Sequence, residues 1–421
     1  MSRFDTRTRT RSLQLLEEIS RRFEGPDLLP PESSDTDTRT LQIIEEMARR
    51  LEILPQRAGT ETMATVTYTI GTTGRDYSTV TAWEADLDNG ALYSSADDAV
   101  GEMYADSSFD EHCTMNGGGT VGLNSITLQA ASGQEHDGTE GSGVRFVKTA
   151  STNCLTIQGS VPTTVKLIEF DQNGNANTNG QGIIYVNSTT VEARVDRCII
   201  HGLNNTAGSG QNQGGIYAYR NAANSCYCNN FIYDLDSASN FGDLYGIYLD
   251  DPFRDTFAIN NTASDINHTS ATSTRSSAAF FMRADVEEYC YNNIGGVATH
   301  SNGAATAGSF VGGGGTANEE YNLSHDTTAT GTGSLASKTF SNQVVSTTAG
   351  SEDFHLKTGA DAIDAGNDYG TTYGSQVDID GRDRDAEGDT WDIGAHEFVS
   401  GGGPSTSTAV FTMHYKKLRI V

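Results

Sequence analysis

A short apolar and aromatic run that returns every thirty-odd residues constrains this chain more than any other feature. GIIY at Gly182–Tyr185 comes back as GIY at Gly215–Tyr217 and Gly246–Tyr248, and as a degenerate AFF at Ala279–Phe281, at spacings of 33, 31 and 33 residues. A second marker keeps the same beat: Asn229-Asn230, Asn260-Asn261 and Asn292-Asn293 are 31 and 32 residues apart, with Asp196-Arg197 one period earlier. A period of this length fits a solenoid, in which each coil buries its apolar face against the next. A helical repeat would place Leu and Ala at i, i+3, i+4 and i+7. Here the runs are short and β-branched or aromatic, as in VKLIEF, GIIYVNST and TFAINNT, and Gly, Asn, Ser and Thr break them. Those breakers tolerate the backbone angles of tight corners. The expected fold is all-β: a right-handed parallel β-helix with short amphipathic helices at its N-terminus. Asn at the same corner of successive coils should form an amide ladder along the axis.

Charge narrows the partners. The net charge is −28; residues 1–57 carry 10 Arg against 11 acids and the last twelve residues carry 3 basic groups and no acid, so the middle holds about −30. Such a body repels nucleic acid and anionic membranes, and no run of eighteen apolar residues offers a membrane span. The N-terminus is rich in Arg and Thr with no apolar run, so the expectation is synthesis in a host cytoplasm without a signal peptide. The six cysteines show no zinc spacing. Cys198, Cys228 and Cys290 recur near one point of the repeat and are expected to face the lumen as small apolar residues rather than to form disulfides.

Residues 1–62 contain an unrelated duplication. SLQLLEEISRRFE at Ser12–Glu24 returns as TLQIIEEMARRLE at Thr40–Glu52, 28 residues later. Each copy has a hydroxyl N-cap, acids early, Arg-Arg in the last turn and an apolar stripe. The stripes are Leu13, Leu16, Ile19 and Phe23, and Leu41, Ile44, Met47 and Leu51. Helices this short need a surface to bury that stripe. Packing on the β-helix, a small coiled coil between subunits and a duplicated docking peptide all supply one. The 28-residue period also permits a homotrimeric bundle.

Residues 63–100 read as a cap for the first coil: Thr65–Ile70 alternates as a strand, and Ser78 or Thr79 can cap a short helix running through Leu87. Regular coils are expected from ITLQA at Ile126–Ala130 to about Ile294, and irregular final coils between Ser301 and Ser346, all within 101–398. Residues 399–421 form a Gly-rich hinge and a docking strand with Phe411 and Tyr415 on its apolar side.

Two stretches carry a resemblance. IG-x-x-GRDYSTVTAWEADL with ITLQAASGQEHDG near the start, and DFHLKTGADAIDAGNDYG with DIDGRDRDAEGDTWDIGAHEF at Asp353–Phe398, are similar to the opening and terminating segments of bacteriophage and bacterial-surface β-helix proteins, a pectate-lyase-like architecture. The resemblance spans residues 64–398, with Lys357–Ala360 replacing the usual Ser- and Pro-rich approach. It implies that the terminating segment closes the solenoid. It also implies a virion structural protein, a capsid decoration, fibre or tail-associated component whose partners are capsid or tail subunits.

Tailspike-type binding or cleavage of host surface polysaccharide is the alternative, by a lyase or a glycoside hydrolase. Its candidate residues are Asp250, Asp251, Arg254 and Asp255 in YLDDPFRD, with Asp196, Arg197, His201, Asp234, Asp236 and Asp243 on nearby coils, and Tyr217 and Tyr248 as sugar platforms. Carboxylates so grouped suit glycosidic chemistry or Ca²⁺. Asp-Asp-Pro is equally an ordinary turn, and no catalytic assignment or resident cofactor follows from it. DIDGRDRDAEGD fails the EF-hand pattern because Gly381 comes too early.

Overall fold

The computed structural model describes residues 63–399, except 177–180, 188–190, 206–211, 221–223, 241, 251–254, 273, 284–287, 304, 313–317 and 387–389. Of two compact units, Met1–Glu61 and Thr62–Val421, the described residues belong to the second. The segments expected to form paired helices, with Leu13, Leu16, Ile19, Phe23, Leu41, Ile44, Met47 and Leu51, and the expected docking strand with Phe411 and Tyr415 lie outside them.

The described chain is a parallel β-solenoid. One coil runs Ala193–Asp196, Ile199–His201, Leu203–Asn205 and Gln213–Arg220, and the next begins at Ser225–Cys228. Stacking the coils generates four parallel sheets, here I to IV in coil order, of nine, eight, four and seven strands. Register keeps like on like: Ile184, Ile216, Ile247, Phe280 and Phe310 are consecutive partners across sheet IV. These side chains are buried, and the Phe280 and Phe310 rings stack at 5.0 Å. Burying each such side chain contributes about 1.5–3 kcal/mol, so a thin lumen becomes a long core.

The corner between sheets I and II shows why the Asn pairs recur. Asn229, Asn260 and Asn292 adopt φ of 57°, 55° and 54°, the left-handed region that Asn enters at low cost. The second Asn of each pair turns inward. The Asn230 N–H donates to Asn261 Oδ1 (3.1 Å), Asn261 N–H to Asn293 Oδ1 (2.9 Å) and Asn293 N–H to Asn322 Oδ1 (2.9 Å). Each inner amide also donates back to the preceding coil, Asn261 Nδ2 to Tyr227 O at 2.8 Å and Asn293 Nδ2 to Ala258 O at 2.8 Å. The expected ladder is therefore present, and the amide oxygens of Asn261, Asn293 and Asn322 each accept within it.

A short helix and the loops around it pack against the first coils. Helix α1, Val80–Ala85, is capped by the Thr79 hydroxyl accepting from Ala82 N–H. The Glu111 carboxylate accepts from Val80 and Thr81 N–H, both at 2.8 Å, a favourable placement for an anion. Trp83 is fully buried and its indole N–H donates to Tyr93 Oη at 3.0 Å. Gly101 makes room for it, because a Cβ there would lie 2.9 Å from the indole and from Ile70 Cδ1. Coiling starts earlier than Ile126. Thr65–Ile70 pairs in parallel with Asp98–Met103, which pairs with Ser125–Ala130; the DAVGEM rung at Asp98–Met103 is the one the sequence reading passed over. At the far end Ala307–Gly312, Asn318–Glu320 and Leu323–Ser324 extend sheets IV, I and II.

All six cysteines are free and buried. Cys290 faces the lumen as expected, but Cys228 does not. In its strand Tyr227 takes the inner position, and Cys226 and Cys228 lie outside sheet I among Phe257, Ile259, Tyr369 and Tyr373. The CYC run alternates, so a large inner aromatic forces both thiols outward.

The terminating segment departs furthest from expectation. It follows an antiparallel hairpin, Val344–Thr348 with Ser351–Leu356, and runs back along the flank as a strap over the Asn corner. Arg194 Nη1 donates to Tyr373 O (2.7 Å), Asn260 Nδ2 to Ser375 O (3.3 Å), Arg384 Nη2 to Asn229 Oδ1 (3.4 Å) and Gly394 N–H to Asn292 O (2.7 Å). Four successive coils are thus tied together over about 14 Å at about 4.8 Å per coil.

Candidate functional site

Of the four residues expected to form a sugar site around Asp250, Asp250 and Asp255 lie among the described residues. Asp250 ends a strand of sheet IV, is buried and pairs with Arg283 one coil on. Asp255 precedes the next strand of sheet I, where its field acts on Tyr373 and its Oδ1 has no hydrogen-bond partner among the described residues. Asp251 and Arg254 fall outside the described residues. Tyr217 and Tyr248 do not offer platforms. Their rings stack on each other at 4.7 Å and 7°, with only 8% and 6% exposure, and Tyr185 and Phe281 extend the stack at either end. Their faces are used on one another.

The other candidates divide into two groups. Asp196 joins Arg197 (3.1 Å) and Arg194 (3.7 Å) under the strap, and Asp243 caps Ser276 N–H at 2.7 Å. His201, Asp234 and Asp236 instead converge on an acidic ledge where sheet II meets sheet III. His201 Nε2 lies 3.1 Å from Glu169 Oε1, and Glu169, with no exposed surface, also accepts from Gly141 N–H at 2.7 Å. Exposed Glu140 completes a group whose ligand-type atoms lie within 4.8 Å of one another. Burial works against the His201 charge, but the bond to Glu169 and the field of Asp171 win and its pKa is raised. His201 stacks on Tyr233 at 5.0 Å and 14°. Asp234 lies at the corner with φ 51°, and burial, then Asp236 and Glu352, raise its pKa.

A second cluster holds the strap. The His355 ring nitrogens meet Asp353 Oδ1 (2.5 Å) and Asp380 Oδ1 (2.8 Å). Burial opposes its charge, yet these bonds hold its pKa up at about 10. His396 Nδ1 accepts from Leu356 N–H at 3.1 Å while Arg382 Nη1 lies 3.2 Å from its Nε2. These three residues, His355, Asp380 and His396, have the atoms of a metal site within 4.8 Å. The Arg382 guanidinium also lies 3.4 Å from Asp380 Oδ2, so a cation already sits against two of the three residues. Nearby Arg384, fully buried, donates to Glu397 Oε2 at 2.8 Å and to Gly394 O at 2.8 Å. The stretch that loosely resembled an EF-hand is used internally as well: Asp378 accepts from Asp380, Arg382 and Glu397 N–H.

Sequence reasoning missed Glu140, Glu169, Asp265 and Glu352. A signal existed for one of them, since Asp234 and Asp265 are 31 residues apart, one coil. No protein-family model matches the chain, and neither does any curated protein or solved structure.

Proposed function

We propose that the chain is a structural component of a bacteriophage virion, a capsid decoration, fibre or tail-associated protein that projects an acidic, right-handed, pectate-lyase-like β-helix and attaches through its terminal segments. The observation that carries this reading is how the body is built. An amide ladder, ring stacks and a strap across four coils put its polar and aromatic groups to work as stiffening. The amphipathic duplication and the basic tail are the sequences suited to gripping a partner, and two linked copies raise affinity by ~10²–10⁴ when neighbouring sites repeat. Deleting residues 1–57 is expected to abolish incorporation into particles, read by mass spectrometry of purified virions. Full occupancy by the truncated protein would overturn the docking role.

Polysaccharide binding or cleavage is the second reading. Exposed Glu140 beside buried Glu169 and His201 favours it, because glycosidic chemistry needs paired carboxylates in unlike environments. Release of oligosaccharides from host capsular polysaccharide, lost in Glu140→Gln and Glu169→Gln, would support it; no release by the wild-type chain removes it.

A further inference from the structure

The last two rungs of sheet III, Ile266–His268 and Ala298–His300, end on histidines that are register partners. Their rings stack at 4.2 Å and 12°. Ile266 and Ala298, two residues earlier on each strand, pack in the apolar core, so strand alternation turns both rings toward the lumen. His268 is 1% exposed. Its Nε2 lies 3.1 Å from Gly242 O, a group that only accepts, so Nε2 carries a proton; its Nδ1 is buried with no hydrogen-bond partner among the described residues. At His300 the Nδ1 accepts from Asn302 N–H at 3.0 Å, so the proton of this neutral ring sits on Nε2, again buried without a partner among the described residues.

A second proton on either ring is penalised. On His300 it would turn Nδ1 from acceptor to donor and set it against Asn302 N–H. On His268 it would put a cation in the lumen, and with both rings charged two like charges would face each other across the stack. Burial is the chief cause that lowers both pKa values. Gly242 O, Asp243 and the residue's own backbone oppose it at His268; at His300 the charge of His268 adds to it and Asp243 opposes. The other strands packed here bring no competing charge inward. Ser277–Met282 and Ala307–Gly312 hold no charged residue, and Arg275 ahead of the first is exposed. Tyr245 and Tyr248 of Leu244–Leu249 lie in the outer aromatic stack, and Asp236 alternates outward between Leu235 and Ser237. The same register position holds Asn205 and Ser237 in the two earlier coils, so the corner itself needs no imidazole.

We propose that the stacked His268–His300 pair is an acid-release latch: the neutral rings hold the rung Ala298–His300 against the lumen, and their protonation lets that rung lift. Ala298–His300 is the end strand of sheet III, so it opens at lower cost than a strand bonded on both sides. The sign follows from the neutral rings. The fold binds fewer protons here than the opened chain, so this stability is complete above about pH 6.5 and is lost as pH falls below it. Histidine is the side chain suited to a switch in that range. The latch does not rest on the virion reading and stands or falls separately from it.

Hydrogen exchange of the full-length protein, read by mass spectrometry at about pH 7 and pH 5 and corrected for the intrinsic rate at each pH, tests it. Peptides covering residues 296–303 should lose at least ~10-fold protection at the lower pH, while those over the Asn corner at 258–262 keep theirs. His300→Phe retains a ring for the stack and cannot be protonated; His268→Gln retains a donor for Gly242 O. Each should reduce the acid-induced loss, and the double variant should abolish it. Equal protection of 296–303 at both pH values overturns the proposal, and so does a loss of full size in both single variants. Proton NMR of the wild-type rings is a measurement that needs no variant to fold: the two resonances lost in the double variant, or in the single variants where the double one does not fold, should titrate below the free-histidine value of about 6.5. Titration of either ring at or above that value also overturns it.

Discussion

Replacing Asn261 by alanine tests whether the inner amide ladder carries the stability assigned to it. Asn261 has no exposed surface. Its Oδ1 accepts from Asn230 N–H (3.1 Å) and from Asn230 Nδ2 (2.9 Å), and its Nδ2 donates to Tyr227 O (2.8 Å) and Asn293 Oδ1 (3.0 Å). Truncation strands two backbone groups, Asn230 N–H and Tyr227 C=O, and leaves two amides short of a partner. At about 1–3 kcal/mol for each stranded backbone group the loss is about 2–6 kcal/mol, with a further small term for the void. Asn261→Asp should cost at least as much, because it keeps the acceptor but turns a charge toward Asn293 Oδ1 and Tyr227 O. The neighbouring Asn260→Gly is the control: it relieves a φ of 55° and gives up one 3.3 Å bond to Ser375 O, so its cost should stay within about 1 kcal/mol. Urea unfolding followed by circular dichroism gives the energies, and hydrogen exchange reads protection around Asn230. A cost below ~1 kcal/mol for Asn261→Ala would refute the reasoning.

Two further outcomes concern the strap. Arg384→Ala removes the cation facing Glu397 in a fully buried setting and should cost about 3–5 kcal/mol, with faster exchange in residues 375–398 and protected coils beneath. Stability should also fall, by ~1–3 kcal/mol, as pH rises from about 6 to 8. Burial, opposed by Arg384, raises Asp378 to about 6 and Glu397 to about 7, and burial raises Asp392 to about 6. The folded strap keeps protons that the unfolded chain has released, so this stability is complete below pH ~4 and lost through pH 6–7. His136 and His396, lowered chiefly by burial, act oppositely below about 6.5. The optimum should lie near pH 6, and a melting temperature that climbs from pH 6 to 8 would sink the assignment.

What the sequence disclosed follows from the range of each interaction. The coil repeat, the Asn ladder and the Thr79 cap arise from neighbours one period or a few residues away, and periodicity exposes those. The course of the strap was not legible. Arg384 meets Asn229 across 155 positions and Arg194 meets Tyr373 across 179, and no local pattern encodes such a distance. Spacing also misled. Glu352 and Asp234 are distant in sequence, yet the hairpin brings the charge of one to bear on the other. Cys228 matched the repeat, but strand alternation around Tyr227 decided its side.

The strap also bears on how this protein comes apart. In a simple stack each coil touches only its neighbours, so unfolding can begin at a free end and travel like an unzipping seam. A cross-brace over four coils adds a coupling that skips neighbours, and the terminal coil cannot peel until the brace lifts from Asn292, Asn260 and Asn229 in turn. Mechanical or thermal rupture should therefore appear as one large event preceded by release of the brace, rather than as a staircase of single-coil steps.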